Sequence, residues 1–154
     1  MQGSAEVIEV LNEILTAELT AINQYFVHGK LCESWGYQKL ASKARADSVE
    51  EMHDADRIIG RIIYLGGMPN LQRLAPVGIG ESVPEQFALD LELELAAIER
   101  YNRAIRVAVE AADNGTRELC ERHLLGEETH ADWVQTQQSL IEQLGLEAYL
   151  AQQL

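Results

Sequence analysis

The sequence predicts an all-α fold: a four-helix bundle with a long crossover between the second and third helices and a short fifth helix at the C-terminus. Three observations carry this expectation. Apolar residues recur at alternating steps of three and four in four long segments, which marks one face of a bundle helix. The stretch 67–82 between the second and third segments is rich in Gly and Pro and has no helical period. It is longer than neighbouring antiparallel helices need. Acidic residues interrupt the stripes at a repeated spacing, with Glu18 standing 33 residues before Glu51 and Glu94 standing 33 before Glu127.

The first segment, roughly 5–35, carries Ile8, Leu11, Leu15, Glu18, Ile22 and Tyr25 on one stripe and ends at Trp35-Gly36. The second, about 38 to 65, carries Leu40, Ala44, Glu51, Asp54, Ile58, Ile62 and Leu65. Gly66-Gly67 and Pro69 stop it, since glycine closes a helix and proline cannot continue one. A connection as long as 67–82 predicts a crossover that leaves the second and third helices parallel. The third helix opens at Ser82-Val83-Pro84-Glu85, where Ser82 and Glu85 have capping-box spacing. Its stripe is Phe87, Leu91, Glu94, Ile98, Tyr101 and Ile105, and it ends at Asp113-Asn114-Gly115. The fourth starts near Thr116, shows Cys120, His123, Glu127, His130, Val134, Ile141 and Leu144, and stops at Gly145. LEAYLAQQL follows as a short fifth helix. No linker or low-complexity segment divides the chain, so residues 1–154 are expected to form one domain.

Composition narrows the function classes. A formal net charge of −13 makes nucleic acid a poor partner and cations good ones. No run of ~18 apolar residues is present, which argues against a membrane span. The start, MQGSAEVIEVLNEIL, lacks the basic region and cleavage site of a signal peptide. Cys32 and Cys120 belong to no CxxC pair, and two lone cysteines in an acidic chain suggest buried thiols in a reducing cytoplasm. A disulfide between them is the less favoured alternative.

The acidic stripe residues point to metal. A carboxylate in a bundle core is costly unless it is paired or bound to a cation. A single such glutamate is best read as the partner of an arginine. Four at matching depths, with no Lys or Arg in the core stripes beside them, are neutralised more cheaply by divalent cations. Glu51 and Glu127 each open an i, i+3 pair, Glu51-Met52-His53-Asp54 and Glu127-Glu128-Thr129-His130. One Glu and one Glu-x-x-ligand pair from each hairpin is the ligand arrangement of a carboxylate-bridged two-metal bundle. Oxygen-rich ligation with one imidazole suits iron or manganese, with zinc able to compete. A rival pair, Glu50-x-x-His53, would turn both ligands about 100° off the stripe. His28 and His53 read as surface or interface residues. His123, one turn before Glu127, reads as a hydrogen-bonded core histidine able to support a ligand. Met52 points away from the metal stripe, on the side of Val49, Ile59 and Ile63, and an apolar strip opposite a bundle's own core suggests a subunit interface.

On these residues the chain resembles the bacterioferritin family over essentially its whole length. The similar segments are EVIEVLNEILTAELTAINQYFVH, EEM with AD two residues on, MPNLQ, VGIGE, EETHADW and LGLEAYL. The resemblance implies a ferritin-like bundle assembled into a 24-subunit shell that oxidises ferrous iron with dioxygen or peroxide and stores the ferric mineral. It implies a di-iron ferroxidase site of Glu18, Glu51, Asp54, Glu94, Glu127 and His130 in each subunit, bridged by Glu51 and Glu127. It places Tyr25 as an electron-supplying tyrosine near that centre. It implies haem b at the twofold interfaces with Met52 as axial ligand, a bacterioferritin-associated ferredoxin as reductant for iron release, and a cytoplasmic location.

Four positions, in three features, depart from the family pattern. Asp54 stands where the family has His, Ala46 and Glu50 replace a His and an Asp of an inner-surface iron site, and His123 stands where an apolar residue is usual. The Asp54 departure supports an alternative: a haem-binding structural or electron-transfer subunit with an impaired ferroxidase site, co-assembling with a second, active bacterioferritin subunit. A DNA-protecting miniferritin would call for a basic tail and a rubrerythrin-like peroxidase for a CxxC pair, and the chain has neither.

Overall fold

The computed structural model describes residues 1–154. Five helices follow one another: α1 (Ala5–Trp35), α2 (Gln38–Tyr64), α3 (Val83–Glu110), α4 (Asn114–Leu144) and α5 (Leu146–Ala151). There is no strand. α1 packs along α2, α3 along α4, and the two hairpins meet through α1 and α3. This is the ferritin-like four-helix bundle expected from the stripes, with the long crossover expected from the aperiodic stretch 67–82 and the short fifth helix expected after Gly145.

The helix ends show why the boundaries fall where they do. α1 stops at Gly36, whose φ of 91° is the left-handed conformation that glycine adopts without a Cβ penalty. α3 begins with Ser82 Oγ accepting the Glu85 N–H at 3.4 Å. The Glu85 carboxylate accepts from the Glu81 N–H at 2.8 Å, one residue before the position a capping box would give it. The turn between α3 and α4 lies two residues earlier than the sequence suggested. α3 ends at Glu110 and α4 begins at Asn114. Asp113, expected as the end of α3, is instead the cap of α4. It accepts from the Thr116 N–H at 3.0 Å and the Thr116 hydroxyl at 2.7 Å. Arg61 donates to the same side chain at 2.7 Å and ties α2 to this corner.

The crossover runs along α1, and α1's own side chains hold it in place. Asn12 donates to the Met68 carbonyl and accepts from the Asn70 N–H. Arg73 donates to Thr16. Gln24 accepts from the Gly78 N–H and His28 Nε2 from the Gly80 N–H. The anchors advance in order from residue 12 to residue 28 of α1, about 24 Å at 1.5 Å per residue. The strap therefore carries the chain back to the end of the bundle where α2 began, and α3 sets off parallel to α2.

His28 corrects the sequence reading. It is 1% exposed, not a surface residue. Its Nε2 accepts from Gly80, so Nδ1 carries the proton and donates to Asp90 Oδ1 at 2.9 Å. Gln24 donates to the same oxygen at 2.9 Å. His53 is exposed, as expected. Cys32 and Cys120 are buried, free and in different apolar clusters, which excludes a disulfide between them.

Two apolar clusters fill the ends of the bundle. One gathers Leu11, Leu15, Ile58, Ile62, Tyr101 and Cys120 among others. The other contains Cys32, Leu40, Phe87, Val134 and Tyr149, the last brought in by α5. Each buried aliphatic side chain contributes about 1.5–3 kcal/mol, and this sum carries the polar waist between the clusters. Every one of the four long helices crosses that waist with a glutamate.

Candidate metal centre

Glu18, Glu51, Glu94 and Glu127 come from α1, α2, α3 and α4 and are 3%, 1%, 1% and 2% exposed. His130, one turn beyond Glu127, is buried beside them. Among the carboxylate and imidazole atoms, two groups overlap at the waist, with the atoms of each lying within 4.8 Å of one another, while a third, of Asp47, Glu50 and His130, lies to the outside. One group at the waist is Glu51, Glu94, Glu127 and His130; the other is Glu18, Glu51, Asp54 and Glu127. Glu51 and Glu127 belong to both. Glu51 is the inward residue of α2, while Glu50 and His53 are exposed, so the Glu50-x-x-His53 register does not face the waist.

Several of these atoms are buried without a hydrogen-bond partner: Glu18 Oε2, Glu51 Oε1, Glu94 Oε2, Glu127 Oε1 and His130 Nδ1. His130 Nδ1 lies 3.3 Å from Glu51 Oε1 and 3.6 Å from Glu94 Oε1. Its Nε2 faces outward to Glu50 Oε2 at 3.0 Å. Buried polar atoms are normally satisfied. A set of lone pairs converging on shared points is what a pair of divalent cations would satisfy, so these residues fit metal.

The surrounding side chains hold the carboxylates rather than neutralise them. Tyr101 donates to Glu18 Oε1 at 2.6 Å, and the Tyr25 hydroxyl donates to Glu94 Oε1. Asp54 is less enclosed than the glutamates. Arg57 donates to its Oδ1 at 3.1 Å from outside the stripe, with a half-exposed side chain. His123 is buried between Tyr101 and Asp54, with Nδ1 3.1 Å from the tyrosine oxygen and Nε2 3.5 Å from Asp54 Oδ1.

Electrostatics reflect the crowding. Burial, and then the neighbouring carboxylates, push the Glu51 and Glu127 pKa values far above the usual range. Burial also raises Glu18. Glu94 goes down, because contacts with Glu127, His130 and Tyr25 outweigh its burial. His130 is raised, as Glu94 outweighs the effect of burial. Asp54 is pushed up to about 6 by burial and by Glu18. His123 is lowered to about 4 by burial and by Arg57 and Arg122, so it is neutral at pH 7 and adds no positive charge beside Asp54. Without a cation the crowding favours protons on Glu51 and Glu127, beside a Glu94–His130 ion pair.

Met52 lies outside this centre. It is 53% exposed, with Val49 and Ile63 exposed near it on α2. Ile59, expected on the same outer face, instead packs against the apolar core. Glu50 is exposed, as is Ala46.

Comparison with known proteins agrees with this architecture. Residues 8–144 match the model of the ferritin-like domain. Bacterioferritin of Mycolicibacterium paratuberculosis is 46% identical over 152 residues, covering 99% of this chain and 96% of that protein. Bacterioferritin of Streptomyces coelicolor is 50% identical over 151 residues, covering 98% and 90%. A solved structure of a mycobacterial bacterioferritin superposes with a TM-score of 0.99 at 45% identity, covering 100% of this chain and 96% of that one. A bundle with one buried glutamate per helix, matched by these relatives along nearly its full length, places the chain in the bacterioferritin family.

Proposed function

We propose that this chain, as one ferritin-like domain over 1–154, is an iron-storage ferroxidase. The observation that carries the reading is the pair of ligand groups sharing Glu51 and Glu127. In this reading those two carboxylates bridge two iron ions, Glu18 and Asp54 hold one, and Glu94 and His130 hold the other. Two ferrous ions supply two electrons, which with two protons reduce dioxygen to peroxide or peroxide to water. The protein's part is to hold the ions together and absorb the change of charge. The Glu51 and Glu127 carboxyls exchange protons for metal. Tyr25 holds Glu94 through its hydroxyl and, in this reading, would give up an electron. Stopped-flow oxidation of ferrous iron by the homo-oligomer tests the reading, and a rate no faster than that of Glu51→Gln would overturn it.

Storage requires a container, and we assign the chain to a 24-subunit hollow shell in the cytoplasm. No helix of the chain is long and apolar enough to cross a membrane. The charge of −13 favours drawing cations inward. Size-exclusion chromatography with light scattering should show the shell as the dominant species at micromolar concentration. A stable monomer there would sink the storage role.

The exposed Met52 on an apolar face fits a haem b shared across a twofold axis, each subunit giving one thioether ligand. Electrons for iron release would come from a bacterioferritin-associated ferredoxin. Met52→Leu roughly conserves volume, so the shell should persist while the haem absorption bands disappear. Unchanged haem content in that variant would rule out Met52 as the ligand.

The Arg57–Asp54 pair favours one alternative, in which the Asp54 side of the centre is weak and the chain co-assembles with an active bacterioferritin subunit. Asp54→His separates the two: a large gain in oxidation rate supports the mixed shell, and a loss supports a centre adapted to Asp.

A further inference from the structure

His123 has two ring nitrogens in different surroundings. Nδ1 lies 3.1 Å from the Tyr101 hydroxyl, which donates its single proton to Glu18 Oε1 at 2.6 Å. A hydroxyl that has committed its proton to a carboxylate can only accept from the nitrogen beside it. Nδ1 therefore carries the proton of the neutral ring, and Nε2 keeps a bare lone pair. That Nε2 is buried and has no hydrogen-bond partner in the protein, on a side chain only 5% exposed. It is aimed at Asp54 Oδ1, 3.5 Å away. Two atoms that ligate one divalent ion at about 2.1 Å and at angles of about 90–115° lie about 3.0–3.5 Å apart. An imidazole fixed by its N–H, with its other nitrogen turned to a carboxylate at this spacing, has the construction of a metal-ligating histidine.

We propose that His123 Nε2 and Asp54 Oδ1 together hold a divalent first-row cation at the outer edge of the carboxylate centre, making His123 a metal ligand of this protein. The proposal rests on the carboxylate centre being a metal site. The ion sits on the Asp54 side, because His123 does not join the group formed by Glu18, Glu51, Asp54 and Glu127. That side is accessible: Glu50, Asp54, Arg57, Arg122, His123 and Gly126 line a polar pocket of about 250 Å³. Water from the pocket completes the coordination. Asp54 is common to this position and to the inner group, so an ion held here is one ligand exchange away from the glutamates. The position is a station on the way in.

The two arginines of the pocket set its strength. Arg57 donates to the same Asp54 oxygen at 3.1 Å, but its side chain is half exposed and such a pair is given up at little cost. Arg122 is turned to Glu118, 3.0 Å away. Both oppose a cation electrostatically, so binding is weaker and exchange faster here than among the glutamates. One imidazole with one carboxylate and water prefers ferrous, cobaltous or zinc ions over magnesium or calcium.

The test uses Co(II) on the metal-free assembled protein. Anomalous diffraction from Co(II)-soaked wild-type crystals should place cobalt within about 2.3 Å of His123 Nε2. Calorimetric titration of His123→Leu should lose the weakest cobalt step, while cobalt at Glu94 and His130 is retained. Arg57→Gln should tighten that same step by about two- to fivefold. Cobalt among the glutamates of wild-type protein with none near Nε2 would overturn the assignment of His123 alone. No cobalt at either position would overturn the metal-centre reading, and this proposal with it.

Discussion

Glu127→Gln should stabilise the metal-free protein and remove most of the stability that metal adds. Glu127 belongs to both ligand groups and is 2% exposed. Burial and then Glu94 push its pKa far up, so ionising it in the metal-free fold is strongly unfavourable. A neutral isostere removes that cost. At pH 8 the unfolded chain carries this group ionised and the fold must protonate it, so the neutral isostere is expected to stabilise by about 1–4 kcal/mol. For a chain of this size that corresponds to a gain of about 2–4 °C per kcal/mol in Tm. The same change takes an anionic ligand from both metal positions at once. Loss of about 100-fold in affinity at each is about 2.7 kcal/mol per ion. The measurement is thermal unfolding at pH 8 and a fixed scan rate, with and without saturating Zn(II). Wild type should show the lower metal-free Tm and the larger metal-induced rise. Equal rises in the two proteins would show that Glu127 holds no metal. Glu118→Gln is the control, because Glu118 is exposed and paired only with Arg122, and it should change little in either condition.

The bundle was legible because its signal is periodic. The stripes placed Glu18, Glu51, Glu94 and Glu127 inward on their helices, and the repeated spacing put them at one depth. Helix geometry fixes the shared face, and packing of the four helices against one another leaves all four at 3% exposure or less. The crossover was legible as a long aperiodic stretch, but its path was not. His28 shows why. Its burial depends on Gly80 and Asp90, which lie 52 and 62 residues away, and no local pattern encodes that meeting. Ile59 was misplaced for a related reason. A stripe gives an angle around one helix, whereas exposure depends on the neighbour packed there. The α3–α4 turn was misjudged because Asp113 reads equally well as a stop and as a cap. Asp54 was legible as the second member of the α2 pair and His123 as a core histidine one turn before Glu127, but their meeting was not. The structure sets them 3.5 Å apart on neighbouring helices, which turns two oddities into one question about metal.

Metal binding should become tighter by about three orders of magnitude per pH unit around neutrality. The reason is proton competition. At pH 7 the metal-free centre holds protons on Glu51 and Glu127, whose pKa values are raised well past neutrality, and on His130, which Glu94 raises. Each must leave when its atom takes a cation, and each proton displaced makes affinity tenfold stronger per pH unit. Asp54, at about 6, adds a fourth proton below that pH, so the slope steepens there. The same groups govern the stability of the metal-free protein. Carboxyls with raised folded pKa values, and the raised His130, contribute stability that is present below their unfolded values and is lost as pH rises toward the folded ones. For the glutamates that loss starts near the ordinary value of 4.5. Glu94, with its lowered pKa, acts in the opposite sense and only below that value. His123 also acts oppositely, since its fall from 6.5 to about 4 costs stability as pH drops through that window. Metal-free Tm should therefore decline from about pH 6 to pH 9, and saturating metal should flatten the decline by replacing the protons. Calorimetry of Co(II) binding in buffers of different ionisation enthalpy reads the proton count directly. Release of fewer than about one proton per two ions at pH 7 would mean that the glutamates are already ionised in the metal-free fold, and that something other than metal balances the charge at the waist of the bundle.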